Sequence, residues 1–210
     1  MGNPLTEVAA PVIESVLAIV GIRVGAEEPS HSSQRLTDEI EIRRYQSRVA
    51  AETTVEGDER RALQEGFRRL AGYIFGGNHS SSKIAMTAPV SQASAKGQKI
   101  AMTAPVSRAA DHDHGWVVRF FMPSKWTMAT LPEPDDARVR LVEVPAETMA
   151  VLRFSGIADQ RAITARSARL AEVLLSKGIQ AVGDPVAWFY DPPWTLPFRR
   201  RNEVAVPVAS

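Results

Sequence analysis

No cysteine occurs among the 210 residues, and this absence removes several classes of function. Without cysteine there is no disulfide framework, no thiolate nucleophile and no cysteine ligand for a metal. Histidine is also scarce, with four in the chain. The run Asp111-His112-Asp113-His114 could hold a divalent metal, but such a polar run is more typical of a loop. We therefore predict no metal site.

The chain also lacks a large excess of charge and the familiar catalytic motifs. A formal net charge of +1 gives no general attraction for nucleic acid, so we predict no such partner. There is no GxSxG elbow, no phosphate-binding glycine loop and no HExxH. Strand carboxylates such as Glu41, Glu143 and Glu203 could perform acid–base chemistry only if they converged, and solvent-facing positions are the simpler interpretation. These absences favour a binding protein over an enzyme.

An apolar run near the N-terminus, residues 9–25, has the wrong charges for a signal peptide. Glu7 and Glu14 stand where a signal peptide has a basic region and an unbroken apolar core, and Arg23 ends the run too early for a transmembrane helix. We predict an N-terminal helix and polar linker over 1–37 that contacts the body, a partner or a membrane surface. We also predict a cytoplasmic protein without a transmembrane segment.

One octapeptide, KIAMTAPV, occurs twice, at 83–90 and 99–106. A polar run with a glycine separates the copies, which predicts an antiparallel hairpin in which Ile84 pairs with Val106. Alternate residues of a strand share a face, so the apolar side chains of both copies would cover one face of the hairpin.

Around the octapeptides, the two halves of the chain show the same order of elements. Alternation of apolar and polar residues predicts strands over 39–45, 48–55, 115–122, 138–144, 148–155, 185–190 and 202–208. Helical spacing predicts helices over 58–75 and 159–177, capped by Asp58 and Asp159. The halves align at an offset of about one hundred residues, with Ala50 on Ala150.

This repeat predicts one α+β domain over 38–208. It would contain two ββαββ-like pseudo-repeats, about 38–106 and 116–208, and neither could bury its helix and its sheet face alone. Two such units closing their sheets toward each other predict a distorted antiparallel β-barrel with two flanking helices.

Several segments together resemble the SOUL haem-binding protein family: EIRRY at 41–45, GFRRLAGYIFGGN at 66–78, the doubled KIAMTAPV and FRRRNEV at 198–204. The resemblance covers roughly 27–208, nearly the whole predicted body. It implies a distorted antiparallel barrel of two similar halves with two helices, related to bacterial effector-binding domains. It also implies binding of haem or a related tetrapyrrole.

The resemblance further implies a cleft between the first helix and the loop between the last two strands. On this chain the helix side consists of Phe67, Leu70, Ala71 and Ile74, and the loop side runs from Trp194 to Arg201. An apolar macrocycle needs an aromatic and aliphatic wall, and its propionates need a cation such as Arg199 or Arg200. The alternative is that the helix residues face the sheet and the arginines form a solvated turn.

This sequence differs from the family pattern at the position of the axial iron ligand. Vertebrate SOUL proteins carry a histidine implicated as that ligand in the EIRRY strand, where this chain has Arg44. Arginine is always protonated and has no lone pair to give. His79, just after the first helix, is the better candidate, although an exposed loop histidine is the simpler interpretation.

We therefore expect haem or another tetrapyrrole to bind without strong axial ligation and without being needed for folding. The protein would act as a carrier, buffer or sensor. The alternatives are an effector-binding module for another small amphipathic molecule, and an enzyme, either a hydrolase or a tetrapyrrole-modifying protein, that uses the same cleft.

Overall fold

Two helices and eleven strands form the part of the protein that the computed structural model describes, residues 27–79, 100, 104–111, 115–191 and 195–209. In chain order they are β1 (His31–Arg35), β2 (Ile40–Tyr45), β3 (Arg48–Val55), α1 (Glu59–Ile74), β4 (Asn78–His79), β5 (Val106–Asp111), β6 (Gly115–Phe121), β7 (Glu133–Pro134), β8 (Arg140–Val144), β9 (Glu147–Phe154), α2 (Gln160–Ser176), β10 (Val186–Phe189) and β11 (Asn202–Pro207). A 3₁₀ turn, Pro197–Arg199, lies between β10 and β11.

Nine strands form one antiparallel sheet in the order β1-β2-β9-β11-β10-β5-β6-β3-β8, and β4 pairs with β7 separately. β2 pairs with β9 and β8 pairs with β3, so each half of the chain contributes a strand beside the other half. Among the described residues the outermost strands, β1 and β8, are not paired with each other. The sheet is therefore a curled half-barrel rather than a closed barrel, and the predicted α+β class with two helices is confirmed.

Both helices begin where the sequence predicts. The Asp58 carboxylate accepts a hydrogen bond from the Arg61 backbone N–H at 3.1 Å, and the Asp159 carboxylate accepts one from the Ala162 N–H at 2.8 Å. These bonds satisfy backbone donors that a helix leaves unpaired in its first turn. Within the described ranges, neither helix combines the length and the hydropathy that crossing a membrane requires.

The two helices lie on the same face of the sheet, which we call the helix face. α1 packs on β3 and β6, and α2 packs on β9 and β11, so β10 and β5 lie between the two helix-covered regions. The opposite face, which we call the inner face, has its own buried cluster of Tyr45, Ala104, Met149, Val151, Trp188, Tyr190 and Ala205. The curled sheet therefore buries side chains on both faces.

Close packing of α1 on β6 depends on Gly66. A Cβ atom at Gly66 would lie 2.6 Å from Val118 Cγ2 and 2.8 Å from Val118 Cβ, whereas a Cβ at Gly72 would meet nothing within 4 Å. We expect Gly66→Ala to lower the free energy of unfolding by about 1–3 kcal/mol, because α1 must move away from the sheet. Gly72→Ala, the matched control, should be neutral or stabilise by up to about 1 kcal/mol. Urea unfolding of both variants tests this, and equal effects would contradict it.

Two segments differ from the sequence prediction. The predicted linker contains β1, which pairs with β2 in register from His31 opposite Tyr45. All five side chains of β1 are exposed, so its sequence carries no alternating apolar signal. Val106 begins β5 and pairs with Phe189 on one side and Phe120 on the other. Both neighbouring positions are thus filled, so the predicted pairing of Val106 with Ile84 is wrong. The other strand of that hairpin lies outside the described residues, as does the 1–26 segment.

Candidate functional site

The helix residues of the predicted cleft divide into buried and exposed sets. Leu70 and Ile74 are fully buried in the core between α1 and the sheet. Phe67 is 38% exposed, and Ala71, one turn later, is half-buried. The Phe67 ring contacts Phe120 of β6 with the ring centroids 5.2 Å apart. A ligand on this surface would therefore touch Phe67 and Ala71, while Leu70 and Ile74 support them from below.

The register of the central strands brings α1 and the loop after β10 to the same end of the sheet. Val106 pairs with Phe120, which lies beneath Phe67. On its other side Val106 pairs with Phe189, the last residue of β10. The loop that contains Trp194 follows Phe189. Adjacent strands are about 4.8 Å apart, so Phe120 and Phe189 are separated by about 10 Å across the helix face. The two sides of the predicted cleft are thus near each other, although Trp194 itself lies outside the described residues.

Arg108 is a buried cation between the two helix-covered regions, and sequence reasoning missed it. It follows Val106 by two residues and so lies on the helix face. Its guanidinium lies 5.0 Å from the Trp116 ring centroid and 5.3 Å from the Phe189 ring centroid. Contacts of this kind attract a cation to the face of an aromatic ring. The sequence alone does not indicate that Arg108 is buried, because this follows only from the position of β5 between β10 and β6 in the sheet.

The loop between β10 and β11 is anchored to the turn between β9 and α2. The Gly156 N–H donates to the Pro197 carbonyl at 2.9 Å, and Asn202 Nδ2 donates to the Gly156 carbonyl at 3.1 Å. Of the two predicted cations, Arg200 donates from Nε to the Thr195 carbonyl at 2.7 Å and so helps to shape the loop. Arg199 is exposed and is the better placed of the two for an anionic ligand group.

His79 is engaged by two carboxylates. Its Nδ1 lies 2.7 Å from Asp135 Oδ1, and its Nε2 lies 3.4 Å from Glu133 Oε2. The hydrogen bond with Asp135 and the two negative charges raise the pKa of the histidine. With Nδ1 and Nε2 both directed at carboxylates, neither ring nitrogen is free to bind iron in this arrangement. Within the described residues no group of three histidine, cysteine, aspartate or glutamate side chains is arranged to hold a metal ion.

Arg44 is exposed on β2, and four strands, β9, β11, β10 and β5, lie between β2 and β6 in the order of the sheet. A guanidinium has no lone pair to give, so this position cannot ligate iron in this chain.

The FRRRNEV segment supplies a buried carboxylate on the inner face. Glu203 is fully buried, which corrects the expectation that it faces solvent. It accepts hydrogen bonds from Arg43 Nη1 and Nη2 at 2.7 and 2.9 Å, from Arg201 Nε at 2.8 Å and from Tyr190 Oη at 2.7 Å. Glu41 accepts from Arg43 Nε at 2.6 Å. Two of the three strand carboxylates noted in the sequence thus converge on one arginine.

These contacts commit Glu203 to structure rather than to proton transfer. Burial alone would raise the pKa of Glu203, but the hydrogen bonds and positive charges of Arg43 and Arg201 outweigh burial and hold the pKa below its usual range. Burial and the neighbouring Glu203 charge raise the pKa of Tyr190. A general base needs a pKa near the working pH and a free acceptor, and Glu203 has neither.

Comparison with known proteins identifies the family to which the sequence is similar. The sequence model of the SOUL heme-binding protein family matches residues 26–207. Heme-binding protein 2 of Mus musculus is 29% identical over 168 residues, covering 78% of this chain and 75% of that protein. Heme-binding protein 1 of Sus scrofa is 28% identical over 145 residues, covering 68% and 69%.

Two solved structures share the fold at low sequence identity. The EcmrR C-terminal domain superposes with a TM-score of 0.53 at 10% identity, covering 86% of this chain and 98% of that chain. A hydrolase from Listeria innocua superposes with a TM-score of 0.51 at 15% identity, covering 81% and 92%. At these identities the likeness concerns the fold alone.

Proposed function

Because the chain belongs to the SOUL heme-binding protein family, we propose that it binds haem or a related tetrapyrrole and serves as a non-enzymatic carrier, buffer or sensor. The family match over 26–207 carries this proposal. The structure supports it with an aromatic surface and nearby cations at one end of the helix face, which suit an apolar macrocycle that bears propionates.

We place the macrocycle against Phe67 and Ala71, above β6 and β10 near Phe120 and Phe189. Arg199 is the first candidate for a propionate, because it is exposed in the 3₁₀ turn of the loop that follows β10. A partly exposed arginine–carboxylate pair contributes up to about 1 kcal/mol, whereas burying about 200 Å² of apolar surface contributes roughly 5 kcal/mol before association costs. Affinity should therefore come mainly from the apolar contact.

Iron ligation is a minor contribution in this proposal, since His79 is held by Asp135 and Glu133 and Arg44 has no lone pair to give. Ferric haem and metal-free protoporphyrin should then bind with affinities within about tenfold of each other, a difference of at most about 1.4 kcal/mol. His79→Ala should leave both affinities and the Soret band of the haem complex unchanged. Titration of the purified full chain, followed by absorbance for haem and by fluorescence for protoporphyrin, measures this.

The same titration separates the alternatives. A Soret band identical to that of free haem at stoichiometric protein, with no protoporphyrin binding, would remove the tetrapyrrole proposal and favour an effector-binding module for another molecule. Haem that binds and is chemically altered would favour an enzyme. Haem that binds while protoporphyrin does not would show that axial ligation dominates.

We also propose that the two halves arose by internal duplication. Exchanging β2 with β8, β3 with β9, β5 with β10 and β6 with β11 reproduces the order of these eight strands read from the other end, and it exchanges the strands beneath α1 with those beneath α2. In β3 the two halves align at an offset of 99 residues rather than 100. Ala51 packs beneath α1 as Ala150 packs beneath α2, so these two residues occupy equivalent positions on the helix face. Ala50 aligned on Ala150 would place the two residues on opposite faces.

A further inference from the structure

Three large apolar side chains are exposed at the end of the molecule where α2 begins. Ile157 is 63% exposed, Leu196 is 40% exposed and Phe198 is 68% exposed. They lie on two loops that are joined by the hydrogen bond between the Gly156 N–H and the Pro197 carbonyl. The loops therefore hold these side chains outward together. Clustered exposed apolar residues of this kind mark an interaction surface more often than single ones do.

Arginines border these apolar side chains. Ile157 lines a shallow depression of about 370 Å³ together with Arg161, Arg166 and Arg169 of α2. Arg169 pairs with Glu172 at 2.9 Å, but no described acidic side chain forms an ion pair with Arg161 or Arg166. Asp159, the one acidic residue that lines the depression, caps α2 by accepting a hydrogen bond from the Ala162 N–H. The surface thus combines apolar side chains with a net positive charge.

We propose that this apolar–basic patch, formed by Ile157, Leu196, Phe198, Arg161 and Arg166, docks the protein on an anionic membrane surface. Apolar side chains on a surface patch can enter the boundary between lipid headgroups and acyl chains, while arginines meet the phosphates. A shallow depression with apolar residues projecting from its rim suits a broad, deformable partner better than an enclosed small molecule. This proposal does not rest on haem binding, although Leu196 and Phe198 lie on the loop that borders the proposed haem surface.

Cosedimentation of the full chain with phosphatidylcholine vesicles, with and without phosphatidylserine, tests the proposal. The wild type should bind the anionic vesicles at least about tenfold more tightly, and added salt should weaken binding. The double variant Ile157→Glu/Phe198→Glu should lose at least about tenfold in affinity. Leu175→Glu is the matched control, because Leu175 is 83% exposed on the last turn of α2, away from the patch, and it should bind like the wild type.

A second pair of variants separates charge from apolar contact. Arg161→Glu/Arg166→Glu should weaken binding to anionic vesicles, while Arg60→Glu/Arg61→Glu on the exposed side of α1 should have a smaller effect. Circular dichroism must show that all four variants have the same fold as the wild type. Equal binding by the patch variants and their controls, or equal binding of the wild type to neutral and anionic vesicles, would overturn the proposal. Patch variants that lose haem but still bind vesicles would instead assign the patch to the ligand.

Discussion

Replacing Glu203 by Leu should lower the free energy of unfolding by about 3–5 kcal/mol, because the change leaves Arg43 buried without its carboxylate. Arg43 is 2% exposed, so water cannot replace the lost partner. In a protein of this size the midpoint of thermal unfolding should fall by about 10 °C. Urea unfolding at neutral pH and calorimetry measure the two quantities.

The cost should come from the incompletely paired Arg43 rather than from the loss of Glu203 itself. Arg201 keeps its pair with Glu28 at the edge of the inner face, but Arg43 keeps only the partly exposed Glu41 as a carboxylate partner. The double variant Arg43→Met/Glu203→Leu removes both charges and should recover a large share of the lost stability. Glu143→Leu is the matched control. Glu143 is an exposed strand carboxylate bonded to Ser47, and its loss should change stability by less than about 0.5 kcal/mol.

The pH dependence of stability follows from the lowered pKa of Glu203. A carboxylate whose pKa is lower in the folded state contributes stability above its unfolded pKa, about 4.3, and that contribution is lost as pH falls through the folded value. Glu203→Gln should therefore be less stable than the wild type at neutral pH, and the difference should shrink in acid. A Glu203→Leu protein as stable as the wild type at pH 7 would show that the network stabilises nothing.

The sequence predicts the helices and most central strands well because their signals are local. Asp58 and Asp159 cap their helices through bonds to residues three positions later, so the cap and its partner are read together. Strands such as β3 and β9 are rich in β-branched and apolar residues on a buried surface. Their ends in the structure fall within one residue of the prediction.

The parts that the sequence could not predict depend on long-range pairing. β1 and β5 are polar strands whose place in the sheet is set by their neighbours, Tyr45 beside His31 and Phe189 beside Val106. Glu203 and Arg43 are 160 residues apart, so the local sequence around either residue does not indicate that the two form an ion pair. The exchange of β2 and β8 between the halves is likewise invisible in either half alone.

The candidate site shows the same division. Helical spacing placed Phe67, Leu70, Ala71 and Ile74 on one side of α1, but only the packed structure separates Phe67 and Ala71 at the surface from the two buried residues. The sequence also shows that His79 follows the helix, yet Glu133 of β7 and Asp135 directly after β7, which contact its ring nitrogens, are more than 50 residues away in sequence. Tertiary contacts therefore determine which of the predicted site residues are accessible to a ligand.

Phe67→Glu should reduce the affinity for haem by about 100-fold or more. The change removes an aromatic contact worth about 2–3 kcal/mol and places a negative charge where the apolar macrocycle and its anionic propionates approach. Because Phe67 also packs on Phe120, the variant needs a check of its thermal midpoint. Ala71→Glu, at a half-buried position one turn along the same surface, provides a second variant whose effect should have the same sign.

Leu175→Glu, an equally large change from apolar to acidic on the exposed side of α2, should leave haem affinity unchanged and serves as the control. The comparison is made by Soret titration of folded proteins under one set of conditions, together with His79→Ala. The proposed site is wrong if Phe67→Glu and Ala71→Glu bind haem like the wild type while His79→Ala shifts the Soret band and releases haem. That result would mean that iron ligation by His79, after release from Asp135 and Glu133, contributes more than contact with the α1 surface.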